Sequence, residues 1–412
     1  MTLRRGSTPA AWVGFFGKLG AGNYGNDGSL EALLGHLRER HPSLRADCMA
    51  AGPEVVSARY GIPAVSLSWD RGGPRTGVRH IDLLVTATRV ATGVAVDAYR
   101  IARWTRRHTV TIVPGMGTFE STMQVRPWQT PWSLFVLATS ARVFRVTMAV
   151  VSVGVSRPRQ PLTAVLLRHA LRGASHRSFR DEDSRTAAAE MGVDTAHDAV
   201  LPDLAFALPT PPRPDRRSGT IGLGVIAWHG SEEERADADA VHARYRAAMQ
   251  DFLGRLVDGG HTVRLLVGDD IDIPVAAEVR DAVLAARPWL PDEAITLDPV
   301  STLGEYMSQV AALDAVVASR FHNVLCALKC GVPTIAVGYA DKHRLLMQRF
   351  GVGRFSHEIR TIDVDDLQLS LASLLAEGAQ LTPHLLDVAG EEQRALTDQL
   401  SAVDRLIRAA PN

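Results

Sequence analysis

Cysteine is scarce in this chain: three occur in 412 residues, Cys48 by itself and Cys326 and Cys330 close together. So few do not make a disulfide framework, and neither histidine nor acid stands at metal-ligand spacing beside the close pair. All three read as reduced and structural, and no metal or cofactor site is expected from them. A surplus of either charge is also missing. Lys plus Arg and Asp plus Glu each total 45, which removes the overall positive field with which general nucleic-acid binders engage phosphate backbones. There is no apolar run fit for a bilayer, which needs about 18 or more uncharged residues. The longest candidate, Pro131 to Val155, is interrupted by Arg142 and Arg145 and reads as a helix followed by a buried strand. Near the N-terminus Arg4 and Arg5 precede Trp12 to Gly17, an apolar run too short for a signal-peptide core. The expectation is a protein that stays in the cytoplasm.

What is present is enough apolar material for large cores, with 46% hydrophobic and 22% charged residues. The length exceeds one ordinary core, so two domains of roughly 150 to 200 residues are expected. Short β-branched runs alternate with longer helix-period segments, the pattern of parallel sheets wrapped by helices. Strands are expected at Trp12 to Phe16, Thr109 to Val113, Ala149 to Val155, Ser175 to Phe179, Thr220 to Ala227, Thr262 to Val267, Ala315 to Ala318 and Thr334 to Val337. Between Leu208 and Gly219 the prolines 209, 211, 212 and 214 exclude helix. The expected division is therefore a domain over 1–207, a linker over 208–219 and a second domain over 220–412, closing with a helix from about Leu386 to Ala409.

In open parallel sheets ligands bind beyond the carboxyl ends of the strands, so the polar residues after each strand carry the search for chemistry. After Ala315 to Ala318 stand Ser319, Arg320, Phe321 and His322, with Ser319 as the expected N-cap and a helix running from Phe321 to Cys330 before Gly331 and Pro333. Free backbone N–H groups, the positive end of a helix dipole and a planar guanidinium together suit a phosphate or carboxylate. The competing reading is a structural ion pair for Arg320 and a capping role for His322. Arg180, in Ser178-Phe-Arg-Asp-Glu-Asp-Ser184, is a second candidate anion ligand, set against a plain acidic helix start. Lys342 follows the strand Thr334 to Val337 and is either a third cation for the same anion or a surface lysine.

Two glycine-rich turns follow strands in the first half. Gly20-Ala-Gly-Asn-Tyr-Gly-Asn-Asp-Gly28 opens a helix expected near Ser29, and its Asn23 and Asp27 are suited to sugar hydroxyls or to orienting a base. The spacing is neither a dinucleotide fingerprint nor a phosphate loop. Pro114-Gly-Met-Gly117 offers Gly115 and Gly117 as a second close-approach point, equally explained as a strand-to-helix turn. The arginines around Tyr99 to His108, with Ile101 and Trp104, form a basic amphipathic segment: a peripheral contact with an anionic membrane surface, or a solvated helix face.

These blocks, in order, resemble the polysaccharide pyruvyl transferase family: Gly22 to Asp27, Pro114 to Gly117, Ser152 to Val155, Phe179 to Ser184, and Ser319 to His322 with Gly331 to Pro333 and Lys342. The resemblance implies two Rossmann-like α/β lobes with parallel sheets, similar to two-domain GT-B-like glycosyltransferases. It implies phosphoenolpyruvate as donor and a sugar, polysaccharide or glycolipid acceptor, which for a lipid-linked sugar would put the work at the inner face of the membrane. Arg320 and His322 fall on the family's Arg-x-His positions and Arg180 on its second donor-binding arginine. On that basis His322 is the expected acid and Asp27 the expected base. Arg320, Arg180, Lys342, Ser319 and Phe321 are the expected donor-binding set, and Asn23, Gly115 and Gly117 the acceptor-binding one. No cofactor beyond phosphoenolpyruvate as co-substrate is implied. One departure stands out: Met116 sits where family members often have the middle of three glycines. A nucleotide-sugar glycosyltransferase and a non-catalytic binder on the same scaffold are the alternatives.

Overall fold

The computed structural model describes residues 11–69, 79–120, 126–213, 219–230 and 234–409. The first ten residues and residues 214–218 of the expected linker lie outside them. The chain forms two compact units. The first comprises Met1–Ala21, Ser29–Leu204 and Ala395–Asn412, the second Gly22–Gly28 and Ala205–Arg394. Besides Ala205–Ala207 at the boundary, two segments thus group differently from the division read in the sequence, and local bonding explains these two. Asp404 accepts hydrogen bonds from His36 and His41 in the first unit. Gly22 to Tyr24 is hydrogen-bonded to Gly268, Asp269 and Asp270 in the second.

The first unit is a seven-stranded parallel sheet. Its strands are β1 (Trp12–Gly17), β2 (Arg45–Ala50), β3 (Ala64–Ser66), β4 (Val110–Pro114), β5 (Thr147–Val153), β6 (His176–Phe179) and β7 (Ala199–Val200), in the order β3-β2-β1-β4-β5-β6-β7. Around them pack α1 (Tyr24–Arg40), α2 (Pro53–Tyr60), α3 (Arg79–Thr105), α4 (Thr130–Phe144), α5 (Pro161–Gly173) and α6 (Glu182–Glu190). The central strands are buried along nearly their whole length, as strands covered on both faces require. The long apolar stretch resolves, as expected, into α4 and β5. Ile101 and Trp104 of α3 are buried in this core, and the Trp104 indole donates to Asp47. The apolar side that a membrane contact would use is therefore already packed. Among the described residues no helix is long and apolar enough to cross a membrane.

The second unit repeats the winding with six parallel strands: β8 (Thr220–Gly224), β9 (Thr262–Leu266), β10 (Ile295–Leu297), β11 (Ala315–Ala318), β12 (Thr334–Gly338) and β13 (Ser356–Glu358), ordered β10-β9-β8-β11-β12-β13. Its helices are α7 (Ala238–Asp258), α8 (Ile273–Ala285), α9 (Leu303–Ala311), α10 (Phe321–Lys329), α11 (Asp341–Arg349) and, as far as Arg394, α12 (Val364–Ala409). The last is 46 residues long and begins well before the expected start. Pro383 lies inside it: a proline forfeits one backbone bond, but Leu367, Leu371, Leu374 and Leu385 bury a stripe along both sides of it. In each unit the strand order reverses once, between β1 and β4 and between β8 and β11. Such a switch point opens the crevice in which α/β sheets hold ligands.

Candidate active site

In the second unit the switch point is occupied by the residues the sequence singled out. β11 ends at Ala318, and Ser319 and Arg320 lead directly into α10. The N-cap is Arg320 (φ −76°, ψ 134°) rather than the expected Ser319, and no side chain caps the helix. Ser319 is turned elsewhere: its hydroxyl is 3.3 Å from the Tyr245 hydroxyl, and its carbonyl lies 3.0 Å from Nε2 of His343. Burial pushes the Tyr245 phenol up to about 12, so it remains an O–H at working pH. Phe321 and His322 form the first turn of α10, with their rings edge to face at 5.3 Å. Lys342, in the first turn of α11, places its ammonium 5.5 Å from the Phe321 ring and 5.9 Å from that of Tyr339. Ser319, Arg320, Phe321, His322 and Lys342 are therefore brought to the carboxyl end of one sheet.

Arg320 is not an open cation. Its Nε and Nη2 both donate to Asp272 at 2.7 Å, while Nη1 faces Asp269 at 3.7 Å. Asp272 is fully buried and also accepts the backbone N–H of Ala227, at the turn after β8. Burial by itself would lower the guanidinium's pKa, but the bidentate Asp272 outweighs it and raises it. The ion pair weighed as an alternative is thus what the structure has. It fixes the rim of the site and leaves Arg320 little net charge to offer. Asp269 and Asp272 were not picked out in the sequence, although Gly268-Asp-Asp-Ile-Asp272 follows an expected strand and its density of acids was the available signal.

The Gly22 to Gly28 segment completes this end. Tyr24 N–H donates to the Gly268 carbonyl at 3.2 Å, the Asn23 amide to Asp269 at 2.9 Å, and the Tyr24 hydroxyl to Asp270 at 2.8 Å. Burial raises the pKa of Asp269, against the pull of Arg320 and Asn23. The helix begins at Tyr24, not near Ser29, so Gly25, Asp27 and Gly28 are helical. Asn23 works as its cap, accepting the Asn26 N–H at 3.2 Å, and Asp27 is buried in the first turn. A Cβ on Gly25 would stand 1.9 Å from Nδ1 of His322, so this glycine exists to admit the imidazole. Gly25→Ala is expected to displace the ring and cost roughly 100-fold in turnover, the scale of a misplacement of about 1 Å. Steady-state kinetics on a folded variant checks this. Nearby, among the described residues, neither end of the buried Asn323 amide has a hydrogen-bond partner, and it packs against Gly224 and Gly268.

The remaining expected residues lie in the first unit. Gly115 (φ 45°) and Met116 (φ 62°) follow β4 in the left-handed region. A side chain there costs roughly 1–2 kcal/mol, which explains why glycine suits the position of Met116. A Cβ on Gly115 would meet the Ser29 hydroxyl at 2.4 Å, so that close approach is to the protein itself. Arg180, after β6, is buried against Glu120 at 2.5 Å, Asp181 at 3.4 Å and Asp203 at 3.6 Å. Asp181 also caps α6 by accepting the Ser184 N–H.

The sequence model for polysaccharide pyruvyl transferases matches residues 23–341, a span that contains Asn23 to Gly28, Arg180 and the whole of Ser319 to His322. The chain belongs to the polysaccharide pyruvyl transferase family. No curated protein matches it. Among solved structures it is similar to a UDP-N-acetylglucosamine 2-epimerase from Listeria monocytogenes (TM-score 0.60, 13% identity, 97% of this chain and 96% of that one). It is also similar to MurG of Acinetobacter baumannii (0.54, 11%, 96% and 99%) and to the glycosyltransferase SnogD of Streptomyces nogalater (0.53, 16%, 96% and 99%). At such identities the likeness is one of fold, and it is the expected class: two parallel-sheet α/β domains of the kind found in GT-B glycosyltransferases and epimerases.

Proposed function

We propose that the protein transfers the pyruvyl group of phosphoenolpyruvate to two hydroxyls of one sugar in a polysaccharide or glycolipid, forming a cyclic ketal and releasing phosphate. The observation that carries this reading is the block Ser319 to His322, which falls within the family match and lies at the switch point of the second unit with His322 in the first turn of α10. The first sugar hydroxyl attacks C2 of the enol while C3 takes a proton and becomes a methyl group. The C2–O bond to phosphate then breaks, the second hydroxyl closes the ring on C2, and both hydroxyl protons are lost. His322 is the group assigned to protonate C3, since its imidazole stands in the first turn of α10 and is a side chain able to serve as a general acid. The α10 N-terminus and Lys342 hold one anionic end of the donor. Arg320 shapes that seat while held by Asp272. Asp27 is the candidate base for the acceptor.

Incubating the protein with phosphoenolpyruvate and a panel of simple glycosides, and measuring phosphate release, tests the proposal. Release that depends on a glycoside is expected, and its absence across the panel together with no stabilisation by phosphoenolpyruvate would sink it. Among the described residues no three His, Cys, Asp or Glu side chains converge as a cation's ligands, and the same assay is expected to give an unchanged rate in EDTA. The fold favours one second reading, a nucleotide-sugar glycosyltransferase. Stabilisation by uridine or guanosine diphosphates without any response to phosphoenolpyruvate would decide for it.

A further inference from the structure

Aromatic rings run away from His322 in unbroken contact. His322 meets Phe321 edge to face with centroids 5.3 Å apart, Phe321 meets His343 at 5.8 Å, and His343 meets Tyr339 at 4.7 Å. Tyr339 then stacks on Trp228 at 5.3 Å, with 26° between the planes. Tyr339 directly follows β12, and Trp228 lies in the loop after β8. β11 stands between those two strands, so the stacked pair joins the loops on either side of the one that carries Ser319 and Arg320. All of these rings belong to the second unit, at the end of its sheet where α/β folds hold their ligands.

Burial divides the run in two. Phe321 and His343 are buried and back the others, whereas Tyr339 and Trp228 are only half-buried and keep ring surface for a ligand. The Trp228 indole N–H is buried with no hydrogen-bond partner among the described residues, so no hydrogen bond accounts for the placement of this ring. The rim is charged. The Lys342 ammonium stands 5.9 Å from the Tyr339 ring and the Arg360 guanidinium 5.5 Å from that of Trp228. Arg360 is oriented by donating to Glu234 at 3.1 Å and to Glu358 at 2.8 Å. Ring surface bordered by fixed donors and acceptors suits a pyranose, which has C–H groups on its faces and hydroxyls around its edge. It does not suit an acyl chain, which would desolvate those charges and satisfy none of them.

We infer that Tyr339 and Trp228 form a secondary subsite for the acceptor, holding a sugar adjacent to the one that receives the pyruvyl group, so that the protein favours an oligosaccharide over a single glycoside. The inference rests on the pyruvyl-transfer reading for the place of the reacting sugar, beside His322. Lys342, shared between Phe321 and Tyr339, marks the donor's end of the run, and Trp228 the far end. Contacts to the adjacent sugar fix the reacting one in place, which is how binding away from the chemistry serves it. An aromatic pair with a purely structural role predicts no dependence on acceptor length.

The test is titration calorimetry of the full chain with methyl β-galactoside and with a β-linked galactotetraose, on wild type, Tyr339→Ala and Trp228→Ala, repeated with the glucose counterparts. In at least one series wild type is expected to bind the tetrasaccharide roughly tenfold tighter than the monosaccharide, the scale of one added ring contact. That ratio is expected to fall to near one in both variants, and as a ratio it is insensitive to any effect common to the two sugars. Should an alanine variant fail to fold, Tyr339→Leu and Trp228→Leu keep apolar volume, remove the flat face and carry the same expectation. A length advantage in wild type without phosphate release from phosphoenolpyruvate supports the subsite and counts against the pyruvyl donor. A wild-type ratio near one in both series, or a ratio that survives the substitutions, overturns the subsite whatever happens to phosphoenolpyruvate. So does failure of all four variants to fold, which would make the pair structural. A wild-type affinity for uridine diphosphate that the same substitutions abolish would give the rings to a nucleotide and overturn it as well.

Discussion

His322→Ala is expected to lower the rate of phosphate release by about 10²- to 10⁴-fold, the usual worth of a positioned general acid, while phosphoenolpyruvate still stabilises the fold. The two readouts separate because the chemistry asks two things of this end of the sheet. Holding the donor needs positive potential, which the N–H groups of α10 and Lys342 supply irrespective of the imidazole. Delivering a proton to C3 needs a proton donor at one place, and the residue proposed for it is His322, whose ring is seated by Gly25 and by the edge of Phe321. Truncation to alanine leaves the helix start intact, since the N-cap is Arg320 with no side-chain bond to lose. Arg320→Ala is expected to weaken donor binding as well as stability. Equal loss of turnover and of donor stabilisation in the His322 variant would make it a binding group instead, and the acid would have to be sought elsewhere.

The interior strands were legible because burial on both faces writes them as continuous apolar runs; β11 was read to the residue. The edges were not. β3, β7, β10 and β13 have two or three residues each, too few to show any period, and β2 carries Arg45 and Asp47 within its six. The same limit governed the site. Ser319 to His322 could be found because strand, polar turn and helix follow one another along the chain. Asp272 could not be assigned to Arg320, because the pairing depends on β8 standing between β9 and β11, which no local pattern encodes. The start of α1 was misplaced for a related reason. Gly25 and Gly28 look like turn residues, whereas Gly25 is helical and small because a histidine distant in sequence fills the place of its side chain.

That distant pairing carries the second large effect. Asp272→Asn is expected to destabilise the second unit by about 3–5 kcal/mol, the cost of leaving one member of a buried ion pair without its counter-charge. Asp272 is fully buried and Arg320 nearly so, hence solvent cannot take over the lost partner. The loss should fall toward the lower end, because Asp269 stands 3.7 Å away and can neutralise part of the charge. Replacing both residues, Asp272→Leu with Arg320→Met, is expected to recover much of the stability, since a buried pair exchanged for apolar groups of similar volume is often neutral or better. Denaturant unfolding of Asp272→Leu, of Arg320→Met and of the double variant closes the cycle, and the effects should be far from additive. The double variant then isolates function from fold. It is expected to unfold near the wild-type midpoint and yet to bind phosphoenolpyruvate weakly, because Arg320 no longer holds the turn into α10 in place. A double variant that binds the donor as wild type does would reduce Arg320 to a structural residue. The anion seat would then rest on Lys342 and the backbone of α10 alone.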